Sequence, residues 1–185
     1  VQSATKGNVL LRKRQYQLSD DESWSLHVAR LMIGGKIQNY RNILKRYIRD
    51  YGENENINRA VQVLEHAKRE ALANQDKTTL IGYEGMASNA YFEVLPVLIL
   101  NQKADFPFHG RNPRPPKDAV NAMLSFAYTL IANDTSAALE TVGLDPYVGF
   151  LHTLRPGRTS LALDMMEELR AYLGDRFVLS LFNKR

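Results

Sequence analysis

A few side chains in this sequence could bind a metal ion or move a proton. Glu84 lies between Gly82 and Gly85 inside a helical pattern, where each glycine costs roughly 1 kcal/mol relative to alanine. A close approach of backbone or ligand would offset that cost; a helix crossing with Glu84 in solvent is the alternative. His152 lies between apolar residues on a loop. A neutral imidazole there could bind a divalent ion or accept a proton, or make only a structural hydrogen bond.

A group of carboxylates follows closer to the C-terminus. Asp164, Glu167 and Glu168 are spaced so that a helix places Asp164 beside both glutamates. Like charges this close are unfavourable unless a cation or a basic side chain neutralises them. Arg170 could supply that charge, and a solvated acidic face is the alternative. No local metal-binding motif joins these carboxylates to Glu84 and His152. Spacing alone therefore leaves both a functional site and a merely structural or solvated role open for each of them.

Composition limits the class of protein. The chain has 185 residues, of which 44% are apolar and 24% charged, which predicts a single folded domain. The absence of cysteine excludes a disulfide scaffold, a thiolate zinc site and a cysteine nucleophile. The longest apolar run, residues 94–100, contains a proline and is far too short for a membrane span. With no signal-peptide core at the N-terminus, the sequence predicts a soluble intracellular protein without membrane association.

Positive charge is concentrated in the first part of the chain. Residues 1–75 carry 13 Lys or Arg against 8 Asp or Glu, whereas residues 76–185 carry 11 against 12. Arg41, Lys45 and Arg49 are four positions apart and therefore form a row on one helix face. A field of this sign attracts phosphate, although a solvated helix face is the plainer interpretation.

Helical periodicity dominates the elements that would position these residues, so the sequence predicts an all-α, multi-helix single domain. Ser19 and Glu22 have capping-box spacing and predict the start of the first clear helix. The last strong helix is predicted from Ser160, with Leu161, Met165, Leu169 and Leu173 as its buried stripe and Gly174 as its end. The remaining predicted helices cover residues 56–74, 77–96, 117–133, 136–142 and 175–185, and the predicted loops cover residues 101–117 and 144–158.

Four segments in order carry a family resemblance: Gly82-Tyr83-Glu84-Gly85, residues 106–124, Gly149-Phe150-Leu151-His152 and residues 160–170. Together they closely resemble the C-terminal helical domain of the CRISPR-associated endonuclease/integrase family, the universal protein of spacer acquisition. The resemblance covers roughly residues 10–185. It implies that residues 1–185 are the C-terminal helical catalytic domain. Complete family members begin with a small β-rich domain, and nothing in this sequence has its pattern.

The resemblance implies a metal-dependent DNA endonuclease/integrase that joins new spacer DNA into the CRISPR array by phosphodiester transesterification in the prokaryotic cytoplasm. The family's metal ligands carry over to Glu84, His152 and Glu167, its additional acidic catalytic position to Asp164, and its metal is magnesium or manganese. Implied partners are duplex DNA with 3′-hydroxyl ends, the CRISPR repeat, a second copy in a homodimer and a small ferredoxin-like protein. Candidate phosphate contacts are Arg41, Lys45, Arg49, Arg111, Arg114, Lys117, Arg155 and Arg158.

Two other functions fit parts of this pattern. A non-catalytic helical DNA-binding or assembly module would also use the basic first part, but a relative that has lost activity should lose a metal ligand. This sequence keeps all three candidates, which favours the enzyme. A helical hydrolase of small phosphorylated substrates could use the same carboxylates, and it predicts a closed pocket without an adjoining basic surface.

Overall fold

The computed structural model describes residues 8–101 and 103–184, and within them it contains helices and loops but no strand. The all-α prediction is therefore confirmed. Its elements are α1 (Val9–Asp20), α2 (Glu22–Tyr51), α3 (Glu55–Ala73), α4 (Lys77–Leu98), α5 (Ala119–Thr141), α6 (Ser160–Leu169), a π-helical segment (Arg170–Asp175) and α7 (Arg176–Asn183).

The long helix α2 organises the domain, because α1, α3, α4, α6 and the π-helical segment all pack against it. Its buried side chains recur every three or four residues, as in Ile33, Ile37 and Leu44, which is the period of one helix face. Tyr40 on the same face stacks on Tyr91 of α4, with ring centroids 4.0 Å apart. Fully burying each large apolar side chain contributes about 1.5–3 kcal/mol, so this face anchors α2 against its neighbours.

The start of α2 differs from the capping-box prediction. Asp21, not Ser19, is the N-cap: its carboxylate accepts a hydrogen bond from the Trp24 amide at 3.0 Å. Ser19 belongs to α1, where its hydroxyl donates to the Tyr16 carbonyl. Helix α1 has only a weak apolar stripe, and its buried residue is the polar Gln15, so its sequence pattern does not predict a helix.

Helix α5 is continuous where the sequence predicted two helices. Asp118 caps its N-terminus by accepting from the Asn121 amide at 2.7 Å. The polar residues around Asp134 suggested a break, but Asp134 lies on the exposed face and Leu139 continues the buried face. Polar residues on the solvent side therefore leave the backbone ladder intact.

The C-terminal helices form one helical rod, and the buried stripe predicted for it is wrong at two of its four positions, since Leu161 is buried and Leu169 half-buried. Met165 and Leu173 are 43% and 45% exposed, while the buried face of α6 includes Leu161, Asp164 and Glu167. Gly174 does not end the helix but lies in the π-helical segment. A Cβ at this position would lie 2.9 Å from the Tyr128 ring, so glycine permits the close packing of this segment on α5.

Within the described residues, no helix combines the length and the apolar character that a membrane crossing would need.

Candidate active site

Three residues from separate parts of the chain line one cavity of about 370 Å³. Glu84 comes from α4, His152 from the loop that precedes α6, and Glu167 from α6. Sequence spacing could not bring these residues together, whereas the fold does. The other side chains around the cavity are Ile33, Lys36, Ile81, Leu151, Thr153, Arg158 and Arg170.

Asp164 holds the loop that carries His152. Its buried carboxylate accepts hydrogen bonds from the backbone amides of Phe150, Leu151 and His152 at 2.6, 2.9 and 3.0 Å. It also contacts Nδ1 of the His152 ring at 2.5 Å. Because a carboxylate accepts, the proton belongs on Nδ1 and the Nε2 lone pair remains for a ligand. Asp164 therefore acts here as a positioning residue.

Gly149 makes this contact possible. A Cβ at Gly149 would overlap the Asp164 carboxylate and lie within 2.8–2.9 Å of the backbone of Ser160 and Leu161. Backbone atoms cannot move aside as a flexible side chain can. The loop therefore needs glycine where it passes the N-terminus of α6, and the Leu161 amide completes the junction by donating to the Pro146 carbonyl at 2.9 Å.

A buried lysine lies between the two glutamates. Lys36 is 3% exposed, and its ammonium makes ion pairs with Oε1 of Glu84 and with Oε2 of Glu167, the latter at 2.7 Å. Burial alone would lower the pKa of Lys36, but Tyr40, Glu167 and Glu84 favour the ammonium and together raise the pKa above its usual value. Lys36 is therefore charged at neutral pH.

Glu167 is an ionised, buried carboxylate. Burial raises its pKa, but Lys36 and Arg170 outweigh burial, so that the pKa lies below its usual value. Arg170 contacts Oε1 of Glu167 at 2.9 Å, as the sequence analysis allowed. Glu84 is less buried, and Ser88 donates a hydrogen bond to it at 2.8 Å. The solvated acidic face considered from the sequence is thus wrong for Asp164 and Glu167, whereas Glu168 is exposed.

The donor set suits a hard divalent ion, although Lys36 occupies the space between the carboxylates. Two carboxylates and an imidazole with a free Nε2 are suitable ligands for magnesium or manganese. Oε2 of Glu167 is buried, and its contact among the described residues is the Lys36 ammonium at 2.7 Å, without the alignment of a hydrogen bond. As the side chains stand, no three His, Asp or Glu residues in the described part of the chain could hold an ion together. The donor types thus fit the ion, and the Lys36 ammonium contacts both carboxylates among them.

Gln15 is a positioning residue that sequence reasoning missed. Its Nε2 donates to the carbonyls of Asp145 and Val148, each at 2.8 Å, and its Oε1 accepts from the Asp145 amide at 2.9 Å. Ser25 of α2 adds a bond from its hydroxyl to the Phe150 carbonyl at 2.8 Å. The loop before His152 is therefore held from α1, α2 and α6. A glutamine in a polar helix carries no sequence signal for this role.

The predicted DNA-contacting residues fall into three groups. Arg41 pairs with Glu65 at 2.5 Å. Arg111 donates to Asn121 and Ser125, and it lies over the Tyr128 ring at 5.3 Å. These two arginines are thus engaged within the domain. Arg158 lines the cavity, and the exposed members are Lys45, Arg49, Arg114, Lys117 and Arg155.

The two glycines beside Glu84 face open space. Apart from the adjoining backbone of α4 itself, no described atom lies within 4 Å of a Cβ built at Gly82 or Gly85. Close approach of another part of the described backbone, one explanation offered by the sequence, is therefore wrong. Approach of a ligand remains a prediction.

Comparison with known proteins identifies relatives along the whole chain. The family described as CRISPR associated protein Cas1 matches residues 1–185. The "CRISPR-associated endonuclease Cas1 1" of Chlorobaculum tepidum is 47% identical over 187 residues, which cover 100% of this chain and 54% of that protein. This chain therefore spans about half the length of that relative.

Solved structures share the fold. A "Partial Cas6-RT-Cas1--Cas2 complex" has a TM-score of 0.86 and 25% identity, covering 99% of this chain and 53% of the other. A "Casposase bound to integration product" has a TM-score of 0.75 and 26% identity, covering 94% of this chain and 50% of the other.

Proposed function

This chain belongs to the CRISPR-associated Cas1 family, and we propose that it cuts and joins DNA in CRISPR adaptation with the help of magnesium or manganese. The observation that carries the proposal is the convergence of Glu84, His152 and Glu167 on one cavity. Relatives named as endonucleases support the nuclease class, and the fold shared with a casposase bound to an integration product supports DNA joining.

Glu84, Glu167 and Nε2 of His152 would hold the ion, with Asp164 keeping the imidazole in the tautomer that this requires. A bound divalent ion would activate the oxygen nucleophile, a DNA 3′-hydroxyl in joining or water in cleavage, and stabilise charge on phosphorus. Two half-buried guanidinium groups border the same cavity. Arg158 and Arg170 would orient the phosphodiester, since guanidinium groups match phosphate oxygens in geometry and charge.

DNA would reach the cavity across the exposed basic residues. Phosphate contacts from Lys45, Arg49 and Arg155 would position the duplex without reading its sequence. The fold shared with the "Partial Cas6-RT-Cas1--Cas2 complex" supports assembly with a partner protein, and in this proposal a second copy of the chain joins them. These partners would hold the two DNA segments in line, and such positioning is a large part of lowering the barrier to transesterification.

The test compares matched glutamine substitutions in the whole protein. Glu84→Gln and Glu167→Gln each remove the charge of a proposed ligand. The controls Glu93→Gln and Glu168→Gln each remove one charge from an exposed position of the same helices, where no metal ligand is proposed. Mn²⁺-dependent cleavage and strand joining of a labelled duplex are measured for all four variants. A catalytic ion stabilises the transition state by several kcal/mol. The rates of cleavage and joining should therefore fall about 100-fold or more in the two site variants and stay near wild type in the controls.

His152→Ala extends the test to the third ligand and should lose activity to a similar extent. Duplex binding is measured in parallel, because a non-catalytic DNA-binding module would bind DNA equally well in every variant. Wild-type rates in the Glu84, His152 and Glu167 variants would refute the proposed site.

A further inference from the structure

The charges around the cavity balance without a metal ion. Lys36, Arg158 and Arg170 bring three positive charges, and Glu84, Glu167 and Asp164 bring three negative ones. The Asp164 carboxylate already accepts from four donors of residues 150–152. A divalent ion added to this arrangement would leave an excess of two positive charges in a largely buried place.

Lys36 and Arg170 differ in how their charged groups are carried. Arg170 contacts Oε1 of Glu167 with a rigid planar guanidinium, which lies over the Tyr128 ring at 5.1 Å. Lys36 likewise lies over a ring, that of Tyr40 at 5.8 Å, but it reaches its partners by a flexible four-carbon chain that ends in a compact ammonium. This ammonium contacts both carboxylates that the proposed function assigns to the metal.

From this arrangement we infer that Lys36 is an internal counter-ion that a divalent metal must displace from Glu84 and Glu167. The inference rests on the proposed function for the identity of the ion. Without DNA, Lys36 competes with the metal and keeps metal affinity low. DNA phosphates offset the excess positive charge, so metal and DNA bind more tightly together than separately. Such coupling is reciprocal, with each ligand raising the affinity for the other by the same factor.

This mechanism gives Lys36 a role distinct from a structural salt bridge. A purely structural lysine stabilises the two glutamates in the geometry that binds the ion, so its removal weakens metal binding. A competing lysine occupies the place of the ion, so its removal strengthens metal binding. The sign of the change in Mn²⁺ affinity therefore separates the two roles, and it does not depend on a catalytic assay.

The experiment measures Mn²⁺ binding to the whole protein by the electron paramagnetic resonance signal of free Mn²⁺. Lys36→Met removes the ammonium, and Lys103→Met, at an exposed loop position, is the matched control. Each protein is measured alone and with a short duplex that ends in dideoxynucleotides, which prevents strand joining. We expect Lys36→Met to bind Mn²⁺ about tenfold or more tightly than wild type without DNA. We expect DNA to tighten binding strongly in wild type and the control, but little in Lys36→Met.

Without the ammonium, the carboxylates of Glu84 and Glu167 lose their shared positive partner and repel each other. Lys36→Met should therefore melt at a lower temperature in EDTA than wild type. Mn²⁺ should then raise its melting temperature by more than it raises that of wild type, because the ion replaces the lost charge. If Lys36→Met does not fold in EDTA, Lys36→Gln replaces it, because its amide keeps hydrogen-bond donors near both glutamates. The same Mn²⁺ affinity and melting temperatures are then measured, with the same expected changes. Failure of both variants to fold even with Mn²⁺ would overturn the inference.

The outcomes distinguish this inference from the proposed function. Equal or weaker Mn²⁺ binding by Lys36→Met, while Glu84→Gln also weakens binding, would overturn the counter-ion role but leave the metal site standing. Unchanged Mn²⁺ binding in both Glu84→Gln and Glu167→Gln would instead remove the metal site itself.

Discussion

Asp175 offers a test of the electrostatics beneath the active site. Its carboxylate is fully buried at the end of the π-helical segment, where it accepts a hydrogen bond from the Tyr128 hydroxyl at 2.5 Å. Burial raises its pKa to about 6, even though the phenols of Tyr128 and Tyr91 act in the opposite direction. The charged form is therefore disfavoured in the folded protein, and substitution by asparagine removes the charge while keeping the shape.

The size and sign of the effect follow from linkage. The pKa rises from 3.8 to about 6 on folding, and a difference of about two units corresponds to about 3 kcal/mol. Below pH 3.8 both states hold the proton and the charge costs nothing. Between pH 4 and 6 the unfolded chain releases the proton more readily than the folded one, so the free energy of unfolding falls as pH rises. Above about pH 6 the full cost is present.

Urea denaturation followed by circular dichroism, at intervals from pH 4.5 to 7.5, measures this dependence. The free energy of unfolding of Asp175→Asn relative to wild type should rise by about 2 kcal/mol across this range, since about 1 kcal/mol of the cost is already present at pH 4.5. Asp134→Asn, at an exposed position of α5, should give a curve parallel to that of wild type. A pH-independent difference between Asp175→Asn and wild type, or one of opposite sign, would refute the argument that burial controls this carboxyl group.

Three further substitutions test how the site is positioned. Gly149→Ala should lower the free energy of unfolding by about 2 kcal/mol or more, because its methyl group overlaps the Asp164 carboxylate; urea denaturation measures this, and wild-type stability would contradict it. Gln15→Leu should destabilise the protein by about 2 kcal/mol, because it leaves buried backbone groups of the loop unpaired; it should also shift the imidazole NMR signals of His152, and unchanged signals would deny Gln15 a positioning role. Gly82→Ala should raise the free energy of unfolding by about 1 kcal/mol, since its Cβ meets open space, and a loss of stability in urea would be incompatible with that geometry.

The sequence predicted most helices of this fold because their apolar spacing is strong. Helices α3 and α4 have nearly the predicted bounds. Errors occurred where side chains gave misleading local signals, as with the polar residues near Asp134 and the apparent stripe through Met165 and Leu173. In the last helix, leucine and methionine spacing suggested one buried face, but the fold buries the acidic neighbours Asp164 and Glu167 instead. Burial of charge depends on partners from distant helices, and periodicity carries no information about those partners.

The candidate site was predicted from the family resemblance rather than from spacing. Glu84, His152 and Glu167 belong to three different elements, and only tertiary packing brings them to one cavity. The roles of Lys36 and Gln15 escaped prediction for the same reason. Lys36 lies in the basic first part of the sequence, where nothing marks it out, yet α2 directs it inward to two glutamates. A charged residue in a helix reveals its role only when the opposing elements are known.

The π-helical segment has a consequence for how the domain tolerates change. A π turn contains one residue more than an α turn, so Arg170–Asp175 shifts the phase of the rod between α6 and α7. Deleting one residue there would restore a regular helix and rotate α7 by about 100° relative to α6. Either Val178 and Phe182 would then leave the core, or Glu167 would turn away from the cavity. Because of the extra residue, α6 can direct Glu167 into the cavity while α7 packs Val178 and Phe182 into the core. Substitutions in one half of the rod therefore need not be matched by substitutions in the other.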